Sequence, residues 1–186
     1  LCYAGHVLHT RPRHMLTGRT PIQAGCELFG SGSEAADMEV ISLMLETLRV
    51  AGLPRLHLVL AHFSIYESLV SDAGFDRDTE AAVFDAMARK SVPELDRLLG
   101  ECVPGSAGFR LRQLARVSGG VESLADAREI LSGASGAIDA ALDQLARVAD
   151  MLNRDFPEVS LGFDFCELRG YNYHTGLVFA AYVPGH

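Results

Sequence analysis

The sequence is short of positive charge. Its 186 residues include 16 lysines and arginines but 24 aspartates and glutamates, so the formal net charge is −8. A surface that binds nucleic acid needs clustered lysine and arginine side chains to neutralise phosphates. We therefore expect no nucleic-acid partner. With 48% hydrophobic and 22% charged residues, the chain is expected to bury a core rather than remain disordered.

Long apolar runs are also lacking. None approaches the roughly 20 residues that a helix needs to cross a bilayer, so we expect no membrane partner. The first residues, Leu1-Cys2-Tyr3, contain neither the charged region nor the cleavage site of a secretory signal, and we expect a cytoplasmic protein. The chain starts without methionine and ends abruptly at His186, which leads us to expect a fragment of a longer protein.

Metal-binding spacings are absent from the sequence. The seven histidines form no His-Glu-x-x-His motif, and no Cys-x-x-Cys pair occurs among Cys2, Cys26, Cys102 and Cys166. We predict no metal and no cofactor. Free cysteines in apolar strand-like contexts behave as small hydrophobic residues, which is typical of a reducing compartment.

Two stretches, residues 21–30 and 167–176, place polar side chains inside apolar, strand-like patterns. Alternation along the first puts Gln23, Gly25 and Glu27 on one face. The missing side chain at Gly25 leaves a gap in which another molecule can approach the backbone. We expect the opposite, apolar face to pack into a core; it consists of Ile22, Ala24, Cys26 and Leu28.

A buried carboxylate or amide needs a partner, and an amino acid is the simplest ligand that would satisfy both stretches. Glu27 and the carbonyl group of Gln23 can accept hydrogen bonds from an ammonium group. Arg169 can donate a bidentate pair to a carboxylate. Alternatively, Glu27 and Arg169 pair with each other across the sheet, and the residue types alone leave both interpretations open.

The order of elements predicts an α+β fold. Strands at residues 2–9 and 21–29, a helix at about residues 34–51 that Gly52 is placed to end, and a strand at residues 56–62 precede a helical block. Strands follow the block, so regular βαβ alternation is missing. An antiparallel sheet with segregated helices fits this order. We predict a core in two parts, residues 1–75 and 155–186, interrupted by a helical insertion at residues 76–154. The apolar stripes of that insertion are most simply core. In a helix predicted at residues 136–153, the stripe consists of Ile138, Leu142, Leu145, Val148 and Leu152.

Both stretches resemble signatures of the class II histidyl-tRNA synthetase family. Gln23-x-Gly25-x-Glu27 after a basic loop is similar to the end of its motif 2, and Arg169-Gly170-x-x-Tyr173-His174-Thr175-Gly176 is similar to its histidine-specific motif. The resemblance implies the class II antiparallel sheet. It also implies that Gln23 and Glu27 bind the α-amino end of histidine, that Arg169 lies near the carboxylate, and that Tyr173 and His174 lie beside the imidazole. Alternatively, Tyr173 packs in the core and His174 is an ordinary strand residue.

Residues 171–174 and 180–181 resemble one branch of this family more than the other. Tyr171-Asn172-Tyr173-His174 and Ala180-Ala181 resemble the regulatory subunits of ATP phosphoribosyltransferase, where true synthetases tend to carry Leu-Asp-Tyr-Tyr and an acidic residue. The motif 2 arginine that holds ATP in synthetases corresponds to Leu8 or His9 in this sequence; alternatively, Arg11 shifts to take its place. This resemblance implies a non-enzymatic subunit that binds histidine, dimerises in its full-length form, and controls a short-form catalytic partner subunit. The alternatives are a histidyl-tRNA synthetase core and a stand-alone histidine-binding module.

Overall fold

A computed structural model describes residues 1–9, 19–53, 55–100, 102–168 and 175–183. The chain divides into two units, Leu1–Thr47 and Leu48–His186. In the first unit, strand β1 (Cys2–His6) pairs antiparallel with strand β2 (Ile22–Cys26). These strands lie where the sequence predicts them, at residues 2–9 and 21–29, although each is shorter than predicted.

Helix α1 (Glu34–Val50) follows the hairpin and agrees with the predicted helix from residue 34 to residue 51. The hydroxyl of Ser33 accepts a hydrogen bond of 3.3 Å from the amide of Ala36, which satisfies one unpaired donor of the first turn. Gly52 follows the helix at φ 76°, a left-handed conformation that ends helices at little cost to glycine. The helix thus begins and ends where its sequence signals predict.

The apolar face of β2 differs from the prediction. Ile22 is 73% exposed and Leu28 is 44% exposed, so the expectation that this face packs into a core is wrong. The physical reason is that a two-stranded ribbon offers too little apolar surface to form a core of its own. The predicted alternation itself holds, because the register of the pairing places Gln23 and Gly25 on the same face.

The second unit contains a four-stranded sheet with strand order β4-β5-β3-β6. Its central strand β3 (His57–His62) runs antiparallel to β6 (Leu177–Tyr182) and parallel to β5 (Ser160–Asp164); the two-residue strand β4 (Ser118–Gly119) pairs antiparallel with β5. The α+β class is confirmed, but the sheet is mixed rather than antiparallel throughout. The long helical connection between β3 and β5 permits the parallel pairing.

Helices fill the connection between β3 and β5. They are α2 (Phe63–Ala73), α3 (Arg77–Ala88), α4 (Val92–Leu99), α5 (Ala107–Leu114), α6 (Glu122–Leu131) and α7 (Gly136–Asp155). Several begin at a side-chain cap; for example, Asp76 accepts a hydrogen bond of 2.8 Å from the amide of Thr79. The helical character of residues 76–154 is therefore as expected, while the three predicted domains stay a prediction.

The core of the second unit lies between the sheet and these helices. Leu58 and Leu60 of β3 are fully buried, and helix α7 contacts this strand. The predicted apolar stripe of α7 is buried along its whole length: Ile138, Leu142, Leu145, Val148 and Leu152. Within the described parts of the chain, no helix combines the length and the apolar character that crossing a membrane requires.

Candidate functional site

The five predicted site residues fall into two groups. Gln23 and Glu27 belong to the first unit, and both are exposed. Arg169, Tyr173 and His174 lie outside the described residues. The predicted convergence of the two stretches around one ligand therefore stays a prediction, while the surroundings of Gln23 and Glu27 and the flanks of residues 169–174 can be described.

Tyr3 is the main neighbour of Gln23 in the hairpin. Because Tyr3 lies opposite Gly25 in the antiparallel pair, its side chain is on the same face as Gln23. The amide nitrogen of Gln23 donates a hydrogen bond of 2.9 Å to the Tyr3 hydroxyl. With its nitrogen engaged in this way, the amide has its carbonyl oxygen to offer to a donor such as an ammonium group.

The space above Gly25 is taken by the ring of Tyr3. A Cβ atom on Gly25 would lie 2.5 Å from both the Cζ and the hydroxyl oxygen of Tyr3. The side chain that approaches the Gly25 backbone in the structure thus belongs to the same hairpin, and the approach of a separate molecule stays a prediction. Tyr3 is absent from the sequence-based set of site residues. Only the pairing register of β1 and β2, which places Tyr3 opposite Gly25, could have indicated it.

Glu27 directly follows β2, and its backbone is fixed by the neighbouring strand. Its amide donates a hydrogen bond of 2.8 Å to the carbonyl of Leu1, which continues the ladder by one residue. Across the described ranges, no hydrogen bond or ion pair reaches the Glu27 carboxylate. An exposed carboxylate on a fixed backbone is suited to receive a cationic group of a ligand.

Residues 165–168, which we call the buried turn, precede the second predicted stretch. Each of its residues is less than a tenth exposed: Phe165, Cys166, Glu167 and Leu168. Turns usually lie on the surface, because their backbone polar groups need partners. Here the Asp164 carboxylate accepts a hydrogen bond of 3.0 Å from the amide of Cys166, and the Tyr182 hydroxyl donates one of 3.1 Å to Glu167.

Thr175 and Gly176, which follow positions 169–174, are held by hydrogen bonds from the start of α2. The hydroxyl of Ser64 donates a hydrogen bond of 2.9 Å to the carbonyl of Thr175. The amide of Phe63 donates one of 3.0 Å to the carbonyl of Gly176. The described residues on both sides of positions 169–174 are thus fixed by contacts within the second unit.

The buried turn also contains a thiol, Cys166. Burial raises the pKa of this thiol to about 12, and the charge of Asp164 adds to the increase. Cys166 therefore stays protonated at neutral pH and is a poor nucleophile or metal ligand. In the described portion of the chain, no group of three histidine, cysteine, aspartate or glutamate side chains is arranged to hold a metal ion.

Two curated relatives of this chain carry the same name. The chain is 99% identical over 186 residues to an ATP phosphoribosyltransferase regulatory subunit from Marinobacter nauticus, which covers all of this chain and 47% of that protein. It is 50% identical over 185 residues to a protein of the same name from Ectopseudomonas mendocina, again covering 100% of this chain and 47% of that protein. The chain thus spans about half the length of the curated relatives it matches.

Solved structures confirm the predicted class II synthetase-like fold. An ATP phosphoribosyltransferase regulatory subunit/histidyl-tRNA synthetase from Bacillus halodurans aligns with a TM-score of 0.79 at 22% identity, over 100% of this chain and 48% of that chain. An ATP phosphoribosyl transferase (HisG:HisZ) complex from Thermotoga maritima aligns with a TM-score of 0.74 at 17% identity, over 99% and 63%. The Histidyl-tRNA synthetase family model matches residues 1–186, and the chain belongs to that family.

Proposed function

We propose that the chain forms part of a non-catalytic regulatory subunit of ATP phosphoribosyltransferase, which acts in the cytoplasm in the first step of histidine biosynthesis. The observation that carries this proposal is the 99% identity, along the whole chain, to a curated relative of that name. The altered motif at Tyr171–His174 and the absence of arginine at Leu8 and His9 also favour this branch over the synthetases.

The partner in this proposal is the short-form catalytic subunit. A neighbour with the same fold was solved as an ATP phosphoribosyl transferase complex, which is consistent with such a partner. The regulatory subunit is required for the activity of that partner and makes it sensitive to histidine. Feedback of this kind needs two states of the assembly with different histidine affinities, because a ligand shifts an equilibrium only by differential binding.

Free histidine is the proposed ligand of the synthetase-like site. Glu27 and the Gln23 carbonyl accept hydrogen bonds from its ammonium group, and Arg169 donates to its carboxylate. Tyr173 and a neutral His174 lie beside the imidazole, where either can hydrogen-bond a ring nitrogen. Two observations support binding of the ammonium group. Tyr3 contacts the amide nitrogen of Gln23, which leaves the carbonyl oxygen as acceptor, and the carboxylate of Glu27 is exposed.

The test uses a protein extended to the length of the curated relatives and mixed with the short catalytic subunit. We expect phosphoribosyltransferase activity to rise, added histidine to lower it, and light scattering to show a dimer of the regulatory subunit. Loss of histidine inhibition in a Glu27→Ala assembly would place the inhibitory site at this pocket. Retained inhibition would place it elsewhere, for example at the subunit interface.

The second candidate function is that of a histidyl-tRNA synthetase core, which the family's name favours. A synthetase activates histidine with ATP, so the purified extended protein would catalyse histidine-dependent exchange of pyrophosphate into ATP without any partner. We expect no such exchange and no charging of tRNA. Clear exchange by the purified protein would overturn the regulatory assignment in favour of the synthetase.

A further inference from the structure

We propose that Lys90 is a positioning residue that fixes the buried turn, the segment that directly precedes Arg169 in the sequence. The proposal rests on the proposed histidine site, because Arg169 is the residue expected to bind the histidine carboxylate. Lys90 is the only lysine of the chain and lies far from Asp164 in sequence. In the fold, its ammonium group is 2.5 Å from the Asp164 carboxylate.

The backbone of Lys90 shows that a lysine here is unusual. It follows α3 at φ 53°, its amide donates to the carbonyl of Met87, and the amide of Ser91 donates to the carbonyl of Ala86. This arrangement ends a helix with one left-handed residue, a position that favours glycine. After other helices, this chain has glycine at positive φ: Gly52, Gly74, Gly100 and Gly133.

The side chain gives a physical reason for a lysine at this strained position. The Asp164 side chain is only 13% exposed, so its charge needs a partner within the protein. Partial burial lowers the pKa of Lys90, but the hydrogen bond and the charge of Asp164 raise it more, and the net shift is upward. The ammonium group is therefore charged when it pairs with Asp164.

Asp164 connects Lys90 to the buried turn, because its side chain contacts both. One of its carboxylate oxygens faces Lys90, and the other accepts the hydrogen bond from the amide of Cys166. Its backbone carbonyl accepts a further hydrogen bond of 3.0 Å from the amide of Glu167. The ion pair thus orients the residue that holds two successive amides of the turn, and Arg169 comes directly after that turn.

The test compares Lys90→Gly with Arg55→Gly. Arg55 is the matched control, because it also combines a positive charge with a left-handed backbone, at φ 54°, and it is exposed. Both changes remove one positive charge. Both also introduce glycine, which adopts a left-handed backbone without strain, so both variants are expected to fold. Lys90→Arg restores a cation that can reach Asp164 and serves as the rescue.

Two measurements decide the proposal. Without histidine, hydrogen exchange of the Cys166 and Glu167 amides should become about tenfold faster in Lys90→Gly, stay unchanged in Arg55→Gly, and return towards normal in Lys90→Arg. Calorimetry should show that histidine binds about fivefold more weakly to Lys90→Gly than to the wild type, and that Arg55→Gly and Lys90→Arg do not show this loss. Unchanged exchange in Lys90→Gly overturns the proposal, and so does faster exchange with unchanged histidine affinity.

A wild-type chain that does not bind histidine would contradict the proposed histidine site. The exchange measurement would still decide whether Lys90 holds the buried turn, because it requires no ligand. Failure of the histidine site and failure of the Lys90 constraint are therefore distinguishable in the same set of samples.

Discussion

The side-chain amide of Gln23 donates a hydrogen bond of 2.9 Å to the hydroxyl of Tyr3. The two residues belong to different strands, and the ring of Tyr3 reaches Gln23 by passing over Gly25, where no side chain stands in the way. The orientation of a residue proposed to bind the histidine ammonium group therefore depends on a tyrosine and on the absence of a Cβ atom at position 25.

Gly25→Ala tests this dependence. The new methyl group would lie 2.5 Å from the Tyr3 ring, so the ring must move away and the hydrogen bond to Gln23 is lost. We expect the fold to persist, because Tyr3 is exposed and can shift, and histidine binding to weaken by about 0.5–1.5 kcal/mol. Calorimetry measures this change. Gly32→Ala is the control, since its Cβ atom would meet no atom within 4 Å; equal affinities of the two variants would contradict the role of Tyr3.

The four cysteines should differ in reactivity. Cys2 is exposed and Cys166 is buried, and the raised pKa of Cys166 leaves almost no reactive thiolate at about pH 8. With a thiol reagent in excess, we expect Cys2 to react at once and Cys166 only after denaturant is added. Peptide mass spectrometry identifies the labelled sites, and rapid labelling of Cys166 in the native chain would be inconsistent with the buried turn.

The same thiol makes stability depend on alkaline pH. The pKa of Cys166 rises from 9.0 to about 12 on folding, so the unfolded chain loses this proton first. Its stabilising contribution is complete below about pH 9 and is lost towards about pH 12; it amounts to at most about 4 kcal/mol.

Urea unfolding at about pH 8.5 and about pH 10.5 measures this loss. Wild-type protein should lose stability relative to Cys166→Ala by about 1–2 kcal/mol over this interval. Cys2→Ala should follow the wild type, because Cys2 is exposed. If the free energies of unfolding of wild type and Cys166→Ala change by the same amount between the two pH values, the thiol is not buried as described.

The central strand of the second unit should be sensitive to cavities. Leu60 of β3 is fully buried. Strand β3 lies between β5 and β6, which precede and follow the predicted site stretch at residues 167–176. Leu60→Ala should lower the free energy of unfolding by about 2–5 kcal/mol. Leu43→Ala, at a 47% exposed position on α1, should change it by less than about 0.5 kcal/mol. Similar urea midpoints for these two variants would contradict the described core.

Local patterns in the sequence predicted the local structure well. The apolar periodicity of α1 and α7, together with the end signals of α1, was sufficient to locate both helices, and the alternation of β2 placed Gln23 and Gly25 on one face. These features depend only on residues within a few positions of each other, so no tertiary information was needed.

Contacts between distant residues could not be predicted in the same way. The parallel pairing of β3 with β5, the ring of Tyr3 over Gly25 and the pairing of Lys90 with Asp164 all depend on how separate segments meet. The exposure of Ile22 shows the same limit, since alternation separates the two faces of a strand but does not determine what covers either face.

The most direct test of the central claim is calorimetric titration of histidine into the wild-type chain, Glu27→Ala and Glu39→Ala. Glu39 is the control, an exposed carboxylate on α1. We expect histidine to bind to the wild type and to Glu39→Ala, and binding to weaken by about 1–3 kcal/mol in Glu27→Ala, because the ammonium group loses its charged acceptor. Unchanged affinity in a folded Glu27→Ala chain would contradict the central claim.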